Sequence, residues 1–305
     1  MLASQLWMRL NRPDLPLEQA HIAVIGAPYD GSVTHARGAA LAPVELRALS
    51  ADCWPFSERG LDLRALRIRD LGDAPVDNDD PQATQEALRQ AVRPVVQAGA
   101  IPLVLGGDHS ITSGVVAGLV GERPLGVLWL DAHADLMDRY KGLAGREESR
   151  WNHACPLRRI CELPQVGPER VLVVGLRDPM EEEIAYIRDR RVEVIWAHEL
   201  ARLSPGEVAA RVHRRLGGLA GGVYISLDID LLDPAAAPGT GTPVPGGPPT
   251  RYLFDLIHAL GQPPLRIAGL DLVEVAPPLD HNRITALAGL RALVELCALA
   301  GGVQG

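Results

Sequence analysis

Eight short apolar runs, rich in valine, isoleucine and leucine, alternate with longer segments of helical character along the chain. This alternation is typical of βα units that form a mainly parallel sheet. The predicted strands span residues 21–28, 66–73, 101–108, 125–133, 170–177, 192–196, 223–230 and 265–275. The predicted helices, several of which begin after Pro, Asp or Ser, span residues 43–49, 81–98, 110–120, 180–190, 204–216, 250–260 and 283–300.

The 305 residues contain no internal repeat and no linker that separates two self-sufficient halves. We therefore interpret residues 1–305 as one domain, a three-layer α/β/α sandwich around an eight-stranded, mainly parallel sheet. The Pro- and Gly-rich stretch 233–249 has the composition of a linker. Because it directly follows an acidic strand end, we predict a fixed loop at the edge of the sheet.

Charge excludes several classes of function. A formal net charge of −8 gives the chain no electrostatic attraction for nucleic acid, whose binding depends on clustered Lys and Arg. Lys141 is the only lysine among the 30 basic residues, and no GxxxxGK[ST] motif surrounds it. We therefore expect no nucleic-acid partner and no chemistry that needs a Schiff-base or P-loop lysine.

The cysteines and the apolar segments indicate a cytoplasmic protein. The four cysteines form no CxxC pair and no zinc-finger spacing, so reduced thiols are expected rather than a disulfide framework. The N-terminal residues lack the apolar stretch of a signal peptide. No run of about 18 apolar residues without charge exists that could span a membrane. We therefore predict a soluble, cytoplasmic protein without a membrane partner.

Polar residues collect at the ends of four predicted strands, where ligands bind in open parallel sheets. Asp131, His133 and Asp135 alternate at i, i+2 and i+4, which places three side chains on one face of an extended chain. Asp228 and Asp230 repeat this spacing. If the strand ends converge, about four negative charges meet there and need two divalent cations for compensation. Carboxylates mixed with imidazoles favour Mn²⁺ over structural zinc or magnesium.

Three segments resemble the signatures of the ureohydrolase family, which includes arginase, agmatinase and guanidino-acid hydrolases. They are GGDHS (106–110), DAHADL (131–136) and SLDIDLLDPAAAPGTGTPVPGG (226–247). The resemblance implies an arginase-like fold, two Mn²⁺ per subunit and a homotrimer or homohexamer. The metal ligands that it implies are His109, Asp131, His133, Asp135, Asp228 and Asp230.

In that family pattern, Asp131 and Asp228 bridge the two ions. Asp135 completes the coordination of the His109 ion, and Asp230 that of the His133 ion. A shared water is activated by the ion pair for attack on an electrophilic carbon. Four carboxylates, two ions and one hydroxide sum to about −1, which favours a guanidinium substrate over an anionic ester.

The resemblance also indicates residues that act on the substrate. Glu274 resembles the glutamate that accepts the guanidinium through charge-assisted hydrogen bonds. His153 resembles the proposed proton shuttle to the leaving amine, with an ordinary surface histidine as the alternative. Thr240 and Thr242 lie in a glycine-rich loop, and Thr242 is predicted to lie nearer the guanidino group. The predicted catalytic residues are His153, Glu274 and Asp135, and the predicted substrate-binding residues are Glu274, Thr242 and His153.

The substrate tail is less constrained. Arginases follow the metal aspartate with an Ile-Asn-Thr type of loop, whereas here Asp135 is followed by Leu-Met-Asp-Arg-Tyr (136–140). The segment is more similar to agmatinase, so hydrolysis of agmatine to putrescine and urea is the preferred function. The alternatives are a guanidino-acid hydrolase of the guanidinobutyrase or guanidinopropionase type, and arginase. At residues 34–38 the chain has Thr-His-Ala-Arg-Gly where many relatives carry Arg-Pro-Gly, and this difference also affects the mouth of the site. The His109 motif and the full DAHAD signature disfavour a one-zinc deacetylase. A non-enzymatic homologue is disfavoured because all six ligand positions are present.

Overall fold

A single sheet contains all eight strands of the computed structural model, which describes residues 3–143, 147–263 and 265–302. The order across the sheet is β2-β1-β3-β8-β7-β4-β5-β6, and every strand pair is parallel. The strands are β1 (Ile22–Gly26), β2 (Ile68–Asp73), β3 (Ile101–Leu105), β4 (Gly126–Leu130), β5 (Val171–Leu176), β6 (Glu193–Trp196), β7 (Val223–Asp228) and β8 (Ile267–Val273). The predicted eight-stranded parallel sheet is confirmed.

Helices cover both faces of this sheet. In the described residues they are α1 (Leu6–Arg9), α2 (Ala42–Ser50), α3 (Pro81–Gln97), α4 (Ile111–Leu119), α5 (Pro156–Cys161), α6 (Glu181–Arg190), α7 (Ala197–Leu200), α8 (Pro205–Leu216), α9 (Thr250–Leu260) and α10 (Ile284–Ala300). Strand side chains alternate between two apolar clusters. Leu128 and Leu130 pack with residues of α2 and α8–α10, whereas Val127 and Trp129 pack with residues of α3–α5. The predicted three-layer α/β/α arrangement is confirmed.

The seven predicted helices correspond to α2–α4, α6 and α8–α10 within a few residues at each end. The short helices α1, α5 and α7 were not predicted, because four to six residues are too few for an amphipathic period to show. Several strands end before the predicted limit; β3 ends at Leu105 rather than at residue 108. Polar residues after the strands therefore lie in loops. The interpretation of residues 1–305 as one domain stays a prediction, which the shared sheet supports.

Strand order determines where the polar loops meet. β3, β8, β7 and β4 are neighbours in the middle of the sheet, although their positions in the chain are far apart. The ends of these four strands and the segments that follow them carry all the predicted metal and substrate residues, including Thr242 after β7 and His153 between β4 and α5. Because parallel strands point the same way, these loops converge at one edge of the sheet.

Arg177 fixes the Pro- and Gly-rich loop after β7. Its guanidinium donates hydrogen bonds to the carbonyl oxygens of Asp230, Leu231, Leu232 and Val244, at 2.6–3.2 Å. A second link closes the base of the loop, where the backbone N–H of Asp233 donates to the carbonyl of Pro248 at 3.1 Å. The stretch is thus a fixed loop, as predicted. No helix of the described residues has the length and apolarity needed to cross a bilayer.

Replacing Arg177 with methionine should destabilise the fold. The methionine keeps an apolar stem but leaves the loop carbonyls without donors, and such unsatisfied groups cost about 1–3 kcal/mol each. Partial access of water reduces the sum, so we expect the metal-free protein to lose about 2–4 kcal/mol in a urea unfolding experiment. Arg188→Met is the matched control, because its side chain is 72% exposed, and it should change stability by less than about 0.5 kcal/mol. Equal stability of the two variants would contradict the proposal that the Arg177 hydrogen bonds hold the loop in place.

Candidate active site

His109 lies between β3 and α4 with its side chain buried. Its Nδ1 atom is surrounded by carboxylate oxygens from the loop after β4 and from the last residue of β7. Asp131 Oδ2 and Asp228 Oδ2 each lie 3.0 Å from this nitrogen, and Asp135 Oδ2 lies 3.2 Å from it. The structure therefore brings together four residues that the sequence predicts as neighbours.

A second group forms around His133. Its Nδ1 atom lies 3.1 Å from Asp230 Oδ2 and 3.5 Å from Asp131 Oδ1. Asp131 thus offers one carboxylate oxygen to each histidine. Candidate ligand atoms of His109, Asp131 and Asp135 all lie within 4.8 Å of one another, and so do those of Asp131, His133 and Asp230. The arrangement has the form of two adjacent cation sites that share the carboxylate of Asp131.

The route by which these side chains converge differs from the sequence prediction. An extended chain spaces residues i and i+2 by about 6.6 Å, which is too far for a compact ligand cluster. Strand β4 ends one residue before Asp131, the chain bends there, and Asp135 has a left-handed backbone with φ of 51°. Asp228 ends β7, and Asp230 lies in the single 3-10 turn that follows. The prediction of one extended face for each motif was wrong, because bends rather than strand periodicity bring the side chains together.

Burial gives this cluster a strong attraction for positive charge. Burial and the neighbouring Asp131 raise the pKa of Asp135 to about 6. Burial, together with the charges of Asp230 and Asp131, raises the pKa of Asp228 well above its usual value. Burial acts to lower the pKa of His109, but the surrounding carboxylates outweigh it and raise that pKa. Cations in the cluster therefore relieve the repulsion between the carboxylates.

Two buried atoms at the centre have no hydrogen-bond partner among the described residues. They are His109 Nδ1 and Asp131 Oδ2, which lie 3.0 Å apart without hydrogen-bonding geometry. A buried polar atom left without a partner costs about 1–3 kcal/mol of stability, so we expect both atoms to bind a group other than a protein side chain. Oxygen and imidazole nitrogen donors suit divalent ions such as Mn²⁺. The residues present thus fit a pair of divalent cations.

Glu274, which follows β8, lies beside His109. Its Oε1 accepts hydrogen bonds from the backbone N–H of His109 at 2.9 Å and from His153 Nδ1 at 3.0 Å. Glu274 has a left-handed backbone with φ of 61°, which is unfavourable for a residue with a Cβ and occurs at functional sites. Within the described residues, no hydrogen bond uses its Oε2. That oxygen is available to a ligand.

His153 is 8% exposed, so it is not the surface histidine of the alternative interpretation. Its Nε2 accepts a hydrogen bond from the backbone N–H of Thr34 at 3.1 Å and lies 2.8 Å from Thr34 Oγ1. Because an amide N–H can only donate, the neutral ring carries its proton on Nδ1, toward Glu274. Burial acts to lower the pKa of His153, but the hydrogen bond to Glu274 outweighs it and raises the pKa.

A cavity of about 190 Å³ opens above the histidines and carboxylates. Thr242 lies in its wall, as predicted, and its Oγ1 lies 3.4 Å from Asp230 Oδ2. Thr240 is buried and is not a lining residue. Sequence reasoning assigned no role to Tyr140, Asp178 and Met180, which also line this cavity. No sequence motif contains these three residues, so only their position in the folded structure identifies them as lining residues.

Further buried residues contact His109 from the sheet side. Trp129 stacks on the imidazole with 4.0 Å between ring centroids. Ser226 Oγ lies 2.8 Å from His109 Nε2 and donates to Asp271 Oδ1 at 2.7 Å. Burial raises the pKa of Asp271, whereas the charge of His109 and the hydroxyl donors oppose that shift. Both Ser226 and Asp271 occur at strand ends noted in the sequence, but nothing in the sequence shows that they touch His109.

Comparison with known proteins agrees with this geometry. Residues 20–298 match the model of the arginase family. Guanidinopropionase from Pseudomonas aeruginosa is 37% identical, over 91% of this chain and 86% of that protein. Agmatinase from Bacillus anthracis is 32% identical, over 92% of this chain and 91% of that protein. The solved structure of proclavaminate amidino hydrolase from Streptomyces clavuligerus superposes with a TM-score of 0.88 at 30% identity, over 98% of this chain and 97% of that chain. Family match, fold and site geometry together establish that this chain belongs to the arginase family of ureohydrolases.

Proposed function

We propose that the protein is a manganese-dependent amidinohydrolase that holds two Mn²⁺ per subunit and cleaves a guanidino group to urea and an amine. The observation that carries this proposal is the convergence of two histidines and four buried aspartates beneath a cavity that also contains Glu274 and His153. The proposed ligands are His109, Asp131, His133, Asp135, Asp228 and Asp230. When bound, the two ions activate water for attack on the guanidinium carbon.

The residues around the ions bind the substrate and move protons. Glu274 Oε2 accepts the guanidinium N–H groups, while its Oε1 stays bonded to His109 and His153. His153 holds one proton on Nδ1 and takes up a second on Nε2, which breaks the hydrogen bond from the Thr34 backbone N–H and leaves Thr34 Oγ1 to accept the new N–H. This imidazolium then donates a proton to the departing amine. Thr242 limits the cavity on the side of Asp230.

Agmatine is the proposed substrate, and putrescine, a polyamine precursor, is the proposed amine product. The described residues that line the cavity include the carboxylates of Asp135, Asp178, Asp228 and Glu274 but no arginine or lysine. In the proposed complex, the two ions compensate Asp135 and Asp228, and the guanidinium compensates Glu274. Asp178 is then the lining carboxylate left to attract the second positive charge of agmatine and to repel a substrate carboxylate. Asp178 is the proposed partner of the tail, since its side chain is 69% exposed beside His133.

A 3-guanidinopropionate type of substrate is the second candidate. The identity of 37% to a guanidinopropionase, against 32% to an agmatinase, favours it. The hydroxyl groups of Thr34 and Tyr140 in the cavity wall can donate to a carboxylate. A urea-release assay over agmatine, arginine, 4-guanidinobutyrate, 3-guanidinopropionate and guanidine, with metal content measured in parallel, distinguishes the candidates. Assembly as a homotrimer or homohexamer and a cytoplasmic location stay predictions.

Asp131→Asn should remove charge from both proposed ions at once. Since each carboxylate oxygen of Asp131 faces a different histidine, we expect fewer than two Mn²⁺ per subunit and nearly complete loss of urea release. Metal content by mass spectrometry and turnover at limiting Mn²⁺ are the measurements. Asp189→Asn, at a side chain that is 62% exposed, serves as the control and should keep both properties. Two tightly held ions and wild-type turnover in Asp131→Asn would disprove the shared-ligand assignment.

His153→Asn should separate proton transfer from metal binding. We expect kcat to fall by roughly 10²- to 10⁴-fold, the usual contribution of a positioned acid or base, with metal content unchanged. The imidazolium is the donor, so wild-type kcat should decline as pH rises through the pKa of His153, which the hydrogen bond to Glu274 raises. This descending limb should be absent in the variant. The exposed His281 provides the control His281→Asn. Loss of one manganese from His153→Asn would instead make His153 a ligand.

Asp178→Asn tests the substrate tail. An exposed ion pair contributes up to about 1 kcal/mol, so KM for agmatine should rise by about two- to fivefold without a matching fall in kcat. KM for 3-guanidinopropionate should stay equal or fall, because a repelling carboxylate has been removed. Steady-state kinetics with both substrates give the comparison. An unchanged KM for agmatine together with efficient cleavage of the acid would favour the second candidate.

A further inference from the structure

The two ring nitrogens of His109 face different surroundings. Nδ1 points into the carboxylate cluster, with Asp131 Oδ2 at 3.0 Å. Nε2 points back into the sheet, where Ser226 Oγ lies at 2.8 Å. Imidazole can bind a cation only through a nitrogen that carries no proton. The proton position on His109 therefore decides whether the cluster can be filled.

The hydroxyl of Ser226 determines that proton position. It donates to Asp271 Oδ1 at 2.7 Å, and a hydroxyl has only one hydrogen to donate. Ser226 must therefore accept the hydrogen bond from His109, which places the proton on Nε2. The lone pair of Nδ1 is then directed toward the carboxylates. Each hydrogen bond in this series is donated toward Asp271, from His109 to Ser226 and from Ser226 to Asp271, because the carboxylate of Asp271 accepts at the end of the series.

Asp271 is well anchored for this role. It is fully buried, and its second oxygen accepts hydrogen bonds from the hydroxyl groups of Tyr224 and Thr112, each at 2.6 Å. Ser226 and Asp271 are register partners on the neighbouring strands β7 and β8. Trp129, the register partner of Ser226 on β4, stacks on the imidazole with an interplanar angle of 1°. One row of residues across three strands thus holds the ring in place and orders its hydrogen bonds.

His133 has no comparable support among the described residues. Its Nε2 faces Asp178 Oδ2 at 3.9 Å, beyond hydrogen-bond distance, and the Asp178 side chain is 69% exposed. Disrupting the hydrogen bonds from His109 through Ser226 to Asp271 should therefore weaken the binding of one ion rather than both.

We propose that Ser226 and Asp271 are positioning residues that keep His109 protonated on Nε2 and direct Nδ1 to the ion held with Asp131, Asp135 and Asp228. Hydrogen-bond partners of metal-binding histidines have this general effect, and their loss typically costs 10- to 100-fold in metal affinity. The inference rests on the proposed two-ion site. It adds to that site Ser226 and Asp271, which determine which ring nitrogen of the ligand His109 carries the proton.

Calorimetric titration of the metal-free protein with Mn²⁺ tests this role. Ser226→Ala removes the acceptor of the Nε2 proton, and we expect one of the two ions to bind about 10- to 100-fold more weakly. Asp271→Asn keeps the shape of the side chain but offers an amide N–H to Ser226. Both hydrogen bonds then run in the opposite direction, so Ser226 donates to His109 Nε2 and the ring proton lies on Nδ1. This variant should lose at least as much affinity for the same ion.

Controls and a spectroscopic signature separate positioning from general destabilisation. Ser113→Ala removes the hydroxyl of another buried serine on α4, which donates to Gln85 rather than to the site, and should bind both ions as wild type does. At limiting Mn²⁺, the electron paramagnetic resonance spectrum of Ser226→Ala should show isolated ions where wild type shows coupled pairs. Its KM at saturating Mn²⁺ should equal that of wild type, because no substrate contact is lost.

The outcomes distinguish the two proposals. Two ions bound to both Ser226→Ala and Asp271→Asn with wild-type affinity would overturn the positioning role and leave the proposed function intact. An equal loss of affinity in Ser113→Ala would also overturn it. A wild-type protein that binds no divalent ion would overturn both proposals. Ser226→Cys, which fills nearly the same volume with a weaker hydrogen-bonding group, is measured in parallel and should weaken the same ion if Ser226→Ala does not fold.

Discussion

Four aspartates buried at one edge of a parallel sheet impose the dominant energetic constraint on this protein. Asp131, Asp135, Asp228 and Asp230 are each at most 6% exposed, and burial, together with their mutual repulsion, raises the pKa values of Asp135 and Asp228. Paired histidines reduce the repulsion but leave buried atoms without partners. Divalent cations satisfy both the charge and the unpaired atoms, so the cluster that is unfavourable for folding is suited to metal binding.

The fold supports this cluster by bending the chain where the strands end. Asp135 and Glu274 both have left-handed backbones, at φ of 51° and 61°, which turn their side chains back toward the centre. Gly241 lets the loop after β7 approach closely, since a Cβ there would lie 3.0 Å from the carbonyl oxygen of Ala36 and 3.6 Å from Glu274 Oε2. Arg177 then fixes the same loop through its carbonyl groups. Strain at single residues is thus compensated by a rigid surrounding network.

The two halves of the site differ in their connection to the rest of the protein. His109 is enclosed by the sheet and linked through Ser226 to a buried carboxylate, whereas His133 borders the cavity and is 22% exposed at its side chain. The enclosed half therefore depends on packing and hydrogen bonds in the core. The open half adjoins Asp178 and the region where the substrate tail lies in the proposed reaction. In the proposed reaction, the open half therefore combines metal ligands with contacts to the substrate, whereas the enclosed half only holds metal.

The sequence alone determined the fold class, because alternation of apolar strands with helices leaves few arrangements other than a parallel sheet with helices on both faces. It also determined the residue types of the site, since Asp131, His133 and Asp135 form a spaced motif and Glu274 follows a strand. It could not determine the strand order that makes β3, β8, β7 and β4 neighbours, because that order depends on pairing between distant segments.

Tertiary structure alone decided the contacts of the site. Thr34 meets His153 across 119 residues, and Asp271 meets Ser226 across 45, so no local pattern could reveal either pair. The bends after β4 and β7 depend in the same way on backbone angles that residue spacing does not specify. The sequence therefore showed which chemical groups are present, because periodicity and motifs can be read from residues that are close together in the chain. Their distances, burial and hydrogen-bond directions arise only when distant strands pair.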